Sequence, residues 1–248
     1  SDVYKRQPLT AIAFFMLTGE LMTSATITDR LVALSRALIG RIRGGLAQVN
    51  VLVSMFFAGM NGSVVADTAT VGALVLPAMK KAGYPAAFSA AVTGVSSTIG
   101  GIIPPSIMMI VLANATEISI AALFAAGIVP GILIGVVIMV INHYFAVKYN
   151  FERSDQPFSV RRAGKELYRS SFALLIPLVL VGSVMGGVAS VVEAGAITAL
   201  VALFTGVFVY RTIKWKDCTG AFRRAFRNSA MVFICLLYTS DAADDLIG

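Results

Sequence analysis

A chain of 248 residues with 57% hydrophobic and 13% charged side chains, at a mean hydropathy of +0.83, has too little polar surface to enclose a soluble core. Its formal charge of +7 sits in short basic clusters between apolar runs, which orients a protein in a bilayer and gives no reason to expect a nucleic-acid partner. Two cysteines and one histidine leave no basis for a disulfide framework or a Cys/His metal site. The composition predicts an all-α polytopic membrane protein without a sizeable soluble domain.

Both ends read as foreign. Residues 1–7 and 235–248 resemble translated sequencing-adaptor runs and are set apart from the fold. The apolar run from Pro8 has no small-residue cleavage site of a signal peptide and leads directly into more spans. Residues 8–27 form a span carrying Glu20. Thr28 and Asp29 are placed to cap the next helix, where Arg30, Arg36, Arg41 and Arg43 alternate with Leu31, Val32, Leu34, Leu38 and Ile39. An amphipathic arm lying at the interface, arginines toward anionic headgroups, completes a unit over 8–44.

A transport-domain unit is read over 45–147. Residues 45–79 hold two apolar runs that meet at Met60-Asn61-Gly62-Ser63. Each run is about 15 to 17 residues, roughly 22 to 26 Å of helix against a hydrocarbon core of about 30 Å. Neither arm alone crosses. The run 85–113 is long enough, but Ser96-Ser97-Thr98-Ile99-Gly100-Gly101 and Pro104-Pro105-Ser106 interrupt it. A half-depth, re-entrant hairpin followed by a discontinuous helix is the pattern of a secondary transporter. Arg41 and Arg43 before the hairpin and Lys80 and Lys81 after it all belong in the cytoplasm, as a segment that turns back requires.

Residues 120–147 return to that face and end among His143, Tyr144, Lys148 and Tyr149, an interfacial belt. A cytoplasmic loop is expected over 148–170, with Arg153, Arg161, Arg162, Lys165 and Arg169. Scaffold helices follow over 171–234: 171–186 lead out and 194–210 lead back to Tyr210, Arg211, Lys214, Trp215 and Lys216. The stretch 218–234, with Arg223, Arg224 and Arg227, reads as a second interfacial helix. Of the 20 Lys and Arg, all but Lys5 and Arg6 fall on one inferred face. Gly127, Gly131 and Gly135, like Gly182 and Gly186, are spaced for close helix packing.

The function is expected at the two interruptions. Irregular backbone at membrane depth is tolerated only when buried in protein or lining a wet cavity. Oxygen ligands of Asn61, Gly62 and Ser63 facing those of Ser96, Ser97, Thr98 and Gly100 would satisfy a sodium ion. The half-helices that start at Ser63 and Ser106, with Gly101, Pro104 and Pro105 beside them, would direct free N–H groups toward an anionic substrate. The alternative is that these Ser and Thr only back-bond within helices and the glycines allow packing. Asp67, one turn past Ser63, is either a cation ligand or proton carrier, or an acceptor that holds the hairpin in shape. Glu20 and Glu193 read as interfacial or packing acids, and His143 as interfacial. No Ser/His/Asp set, paired catalytic carboxylates or phosphate loop is present, so the chain does not read as an enzyme or an ATP-driven pump.

At Gly19-Glu20-Leu21-Met22, Arg43-Gly44-Gly45-Leu46-Ala47, Gly62-Ser63-Val64-Val65-Ala66-Asp67, Leu76-Pro77-Ala78-Met79, Ser96 to Gly100, Ile102 to Ser106 and Glu193-Ala194, the sequence resembles the large, DctM-like permease subunit of the tripartite ATP-independent periplasmic (TRAP) transporters. The resemblance implies an elevator-type secondary transporter of inverted repeats in the bacterial inner membrane. It would be a Na⁺ symporter without other cofactor, carrying an organic acid such as a C4-dicarboxylate or sialic acid. A periplasmic binding protein (DctP-like) would deliver the substrate, and a small membrane subunit (DctQ-like) would accompany it.

On this pattern the hairpin tip is Asn61 to Ser63 and the first broken helix Ser96 to Ser106. Asn61 stands where the family has Ser, and Gly101 where it has Pro. The chain then carries the first repeat and the opening of the second, and is not expected to transport alone. Three readings compete: a divalent-anion/Na⁺ symporter of similar architecture that needs no binding protein, a membrane-embedded enzyme, which would need a second acid or metal ligand near Asp67, and a purely structural membrane subunit, which would need no ion.

Overall fold

The computed structural model describes residues 2–24, 27–39, 42–151, 159–213 and 215–247, with side chains from Thr10 to Ile234 except at Asn61, Trp215 and Lys216. Arg41, Arg153 and Lys214, counted above among the cytoplasmic cations, lie outside the described residues, as do the side chains of Lys5, Arg6 and Asn61. The described chain is helical: α1 (Asp2–Ser24), α2 (Ile27–Ile39), α3 (Gly45–Asn61), α4 (Val64–Lys81), α5 (Ala86–Ser97), α6 (Ile107–Thr116), α7 (Ile120–Lys148), α8 (Val160–Met185), α9 (Val191–Phe204) and α10 (Trp215–Ile247). A 3₁₀ turn over Thr98–Gly101 follows α5, and a π turn over Thr205–Val209 extends α9. Among the described residues, α7, α8 and the segment Val191–Val209 are long and apolar enough to cross a membrane.

Helices α3 and α4 form the expected hairpin, and both of its feet lie at one end of α7. Arg43 Nη1 donates to Asn150 Oδ1 at 2.9 Å, just past that end of α7. After α4, the Tyr84 ring packs on Phe151 at 4.7 Å, and Phe88 on Phe151 at 5.0 Å. Between the feet and the tip, Gln48 Nε2 donates to Met139 O at 2.8 Å, so α3 runs antiparallel to α7. Gly127 and Gly131 of α7 leave room for the stretch 102–109: a Cβ there would come within 2.5 Å of Ile102 O and of the Ile103 side chain respectively. The tip is seated against that stretch, so the hairpin stops on the order of 10 Å short of where α7 begins.

Several boundaries differ from expectation. α8 starts at Val160, inside the interval 148–170 read as loop, because Arg161, Arg162, Lys165, Glu166 and Arg169 are ready helix formers. Arg169 Nη1 lies 3.4 Å from Glu166 Oε1 one turn away. α1 and α10 continue through 2–7 and 235–247, the stretches set apart as foreign. Thr28 does not cap α2: the helix is already under way at Ile27, and the Thr28 hydroxyl is buried without a partner. Gly182 faces open space and marks no helix contact, unlike the α7 glycines.

α10 packs on α1 through Ala221, Ala225 and Ser229, buried at every fourth position. Glu20 holds that contact. Its carboxylate receives Arg224 Nε at 2.7 Å and Asn228 Nδ2 at 3.2 Å, while Arg224 Nη2 donates to Ser24 Oγ at 2.9 Å. Glu193 closes a capping box at the start of α9, accepting from Ser190 N at 2.7 Å. Glu20 is therefore a packing acid and Glu193 an exposed capping acid, and His143 is exposed. A double-mutant cycle of Glu20→Gln and Arg224→Gln in thermal unfolding is expected to give a coupling of about 1 kcal/mol, as for a partly exposed pair. Additive losses would mean that the pair is incidental.

Candidate functional site

The two interruptions are built alike and meet. α3 ends at Gly62, whose φ of +59° closes the turn while its N–H donates to Ala58 O at 3.3 Å. The backbone extends at Ser63, and the Ser63 hydroxyl accepts from Ala66 N–H at 3.4 Å to start α4. In the second interruption the chain leaves the 3₁₀ turn, passes a cis Pro104-Pro105 peptide and extends at Ser106. There the Ser106 hydroxyl accepts from Met109 N–H at 3.4 Å and donates to Gly101 O at 2.7 Å.

Ile107 N–H donates to Gly62 O at 3.2 Å, joining the tip to the head of α6. A Cβ on Gly62 would stand 2.3 Å from Pro105 O, and one on Gly100 would stand 3.7 Å from Ser63 O. The tip thus lies directly on the broken helix.

Behind this contact runs a buried polar seam. Asn50 Nδ2 donates to Thr93 Oγ1 at 2.7 Å, and Ser96 Oγ donates to Asn50 Oδ1 at 3.3 Å. Ser54 Oγ and Ser96 Oγ share a bond of 3.3 Å. Asp67 and Ser97 follow, both fully buried. The Ser97 and Ser54 hydroxyls flank the Asp67 carboxylate. Neither carboxylate oxygen has a partner at hydrogen-bond distance, and the Ser97 hydroxyl has none either. An unpaired carboxylate in such surroundings is unfavourable by several kcal/mol, a penalty that a bound cation or a proton would relieve. The atoms nearest the carboxylate, the Ser54 and Ser97 hydroxyls, are hard oxygens like its own. Among the described residues no group of three His, Cys, Asp or Glu is placed for a metal ion.

The expected ligands divide. Gly62, Ser63 and Gly100 face each other across the contact, and Ser96 and Ser97 belong to the seam. Thr98 is exposed and spends its hydroxyl on Val95 O at 2.7 Å, as the helix back-bonding alternative holds. Of the residues expected to face substrate, Ser63 lines a cavity of about 450 Å³ with Glu20 and Thr23 of α1, Thr70 of α4 and Asn228 of α10. Pro104, Pro105 and Ser106 are buried beneath the tip, and Gly101 is half-buried. Asn50, Ser54 and Thr93 are not singled out by the sequence. Their one signal is a small polar side chain recurring every turn, at 50 and 54 and at 89, 93 and 97, in otherwise apolar helices.

A family model described as "Tripartite ATP-independent periplasmic transporter, DctM component" matches residues 2–242, including most of both stretches set apart as foreign. The C4-dicarboxylate TRAP transporter large permease protein DctM of Pseudomonas aeruginosa is 38% identical over 210 residues, covering 85% of this chain and 49% of that protein. The sialic acid TRAP transporter large permease protein SiaM of Vibrio cholerae is 34% identical over 229 residues, covering 92% and 53%. The 2,3-diketo-L-gulonate TRAP transporter large permease protein YiaN of Escherichia coli is 37% identical over 217 residues, covering 86% and 51%. The chain spans about half the length of these curated relatives.

Proposed function

The chain belongs to the DctM component family of the tripartite ATP-independent periplasmic transporters, and on that premise we propose that it forms part of a Na⁺-coupled permease for an organic acid in the bacterial inner membrane. The observation that carries this reading is the bond from Ile107 N–H to Gly62 O, which joins two interrupted helices beside a buried, unpaired carboxylate. Sodium is held by backbone and hydroxyl oxygens of Gly62, Ser63, Ser97 and Gly100, with the Asn61 amide from the tip. The hairpin is re-entrant, since both feet meet one end of α7, and it moves with the broken helix as one elevator unit. The relatives named above act on a C4-dicarboxylate, sialic acid and 2,3-diketo-L-gulonate, all carboxylates. The substrate is therefore a carboxylate, delivered by a periplasmic binding protein to this subunit and its small membrane partner.

The test is uptake into proteoliposomes that hold the full-length permease and its small subunit. Uptake is expected to require both an inward sodium gradient and the binding protein. Removing one ligand by Asn61→Ala or Ser97→Ala is expected to lower sodium-driven uptake about tenfold, the effect of one interaction with a charged group. Uptake without any binding protein would favour the divalent-anion symporter, and unchanged sodium dependence in both variants would refute the ion site.

A further inference from the structure

Besides the Glu20–Arg224 network, a polar cluster outside the seam forms where α2, α8 and the stretch after α9 come together. Arg30 of α2 lays its guanidinium over the Tyr210 ring, 3.9 Å from the centroid, and donates through Nη1 to Arg169 O at 3.4 Å. Tyr210 OH donates to the same carbonyl at 3.0 Å, and Ser170 Oγ donates back to Arg30 O at 3.4 Å. The ring contact and the Nη1 bond hold the Arg30 guanidinium in place, and among the described residues no other acceptor meets its remaining N–H donors. Among the described residues no carboxylate pairs with Arg30. Arg211 follows Tyr210 and is exposed, and the Arg169 side chain is 54% exposed, its one ion pair among the described residues being the 3.4 Å contact to Glu166.

A guanidinium anchored over an aromatic ring, with two more arginines on neighbouring residues, matches the oxygens of a phosphodiester. The surface beside it is apolar. Phe172 and Leu175, one and two turns along α8 from Arg169, are each 45% exposed. A phosphate next to a lipid-facing helix stripe describes a phospholipid, and the excess of cations selects an anionic one. A basic cluster that only oriented the chain would have no need of a guanidinium anchored by a ring and a carbonyl.

We propose that the junction of α2, α8 and the end of α9 binds the headgroup of an anionic phospholipid, its phosphate on Arg30, Arg169 and Arg211 and an acyl chain along Phe172 and Leu175. Because Arg30 belongs to α2 while Arg169 and Arg211 belong to α8 and the turn after α9, one phosphate ties the arm to the spans. The inference relies on the function proposed above only in taking α8 and α9 as membrane spans, and its test needs no transport.

The chain is reconstituted in phosphatidylcholine nanodiscs with or without a minor fraction of phosphatidylglycerol, then released for native mass spectrometry, with thermal unfolding measured in parallel. Wild type is expected to retain phosphatidylglycerol and to unfold at a higher temperature when it is present. Arg30→Gln is expected to lower the retained fraction about tenfold and abolish the thermal shift, as loss of one charge-assisted contact would. Arg211→Gln, at an exposed position, tests the same site with less disturbance of the fold and is expected to lose part of both. Arg36→Gln, exposed elsewhere on α2, is expected to change neither. Retention by Arg30→Gln and Arg211→Gln equal to wild type would overturn the site. An equal thermal shift from inorganic phosphate in phosphatidylcholine discs would overturn its assignment to lipid.

Discussion

Gly62→Ala is expected to destabilise the protein in detergent by about 3 kcal/mol, well beyond the cost of an alanine in the same backbone conformation elsewhere. Two effects add. A non-glycine residue at φ +59° costs about 1 to 2 kcal/mol. The new methyl would also stand 2.3 Å from Pro105 O, so the tip must lift from the broken helix and Ile107 N–H loses Gly62 O as its acceptor. A buried donor left without a partner costs about 1 to 3 kcal/mol more. Gly83 supplies the control, because it has φ +80° and no atom within 4 Å of where a methyl would sit. Gly83→Ala therefore reports the backbone cost alone, about 1 kcal/mol. Denaturant unfolding of the two variants measures the difference directly. Equal losses would mean that the tip does not bear on the broken helix, and the sodium site would have no geometry to stand on.

The parts of this contact that the sequence makes legible are the ones that chain chemistry forces locally. Gly62 permits the left-handed turn, Ser63 and Ser106 cap the helices that follow, and Pro104-Pro105 cannot continue α5. Each of these signals lies within a few residues of its consequence. The two-foot arrangement is also legible, because Arg43 and Lys80 bracket runs too short to cross. The seam is not. Asn50, Ser54 and Thr93 are small polar residues in apolar helices, and the spacing that puts Asn50 and Ser54 on one face of α3 does not say that α5 supplies the partners. The Thr98 hydroxyl is hidden for a related reason: it has a carbonyl one turn back within reach and bonds to that. The start of α8 is hidden because charged residues good at forming helix also mark solvent-facing loops, and hydropathy cannot separate the two. The α1 to α10 contact through Glu20 and Arg224 joins residues 204 positions apart, beyond the reach of any periodicity.

Asp67→Asn is expected to stabilise the sodium-free protein and to remove the further stabilisation that sodium gives the wild type. The wild-type carboxylate is fully buried, with both oxygens unpartnered and only the Ser54 and Ser97 hydroxyls beside it. Asparagine keeps its size and takes away the charge, so the desolvation penalty on an unpaired ion disappears. In the wild type a cation bound as proposed would offset the same penalty. A ligand present at 100 times its Kd adds about 2.7 kcal/mol to the folded state, and this increment should appear on replacing choline chloride with sodium chloride. In Asp67→Asn the increment should shrink toward zero while the baseline rises, a pair of opposite changes that loss of packing does not produce. Asp67→Ala serves as the contrast, since it removes charge and volume together and should lower the baseline through the cavity it leaves. If Asp67 instead only shapes the hairpin, Asp67→Asn keeps the sodium increment of the wild type, and the seam is a structural network with the ion bound elsewhere along the tip.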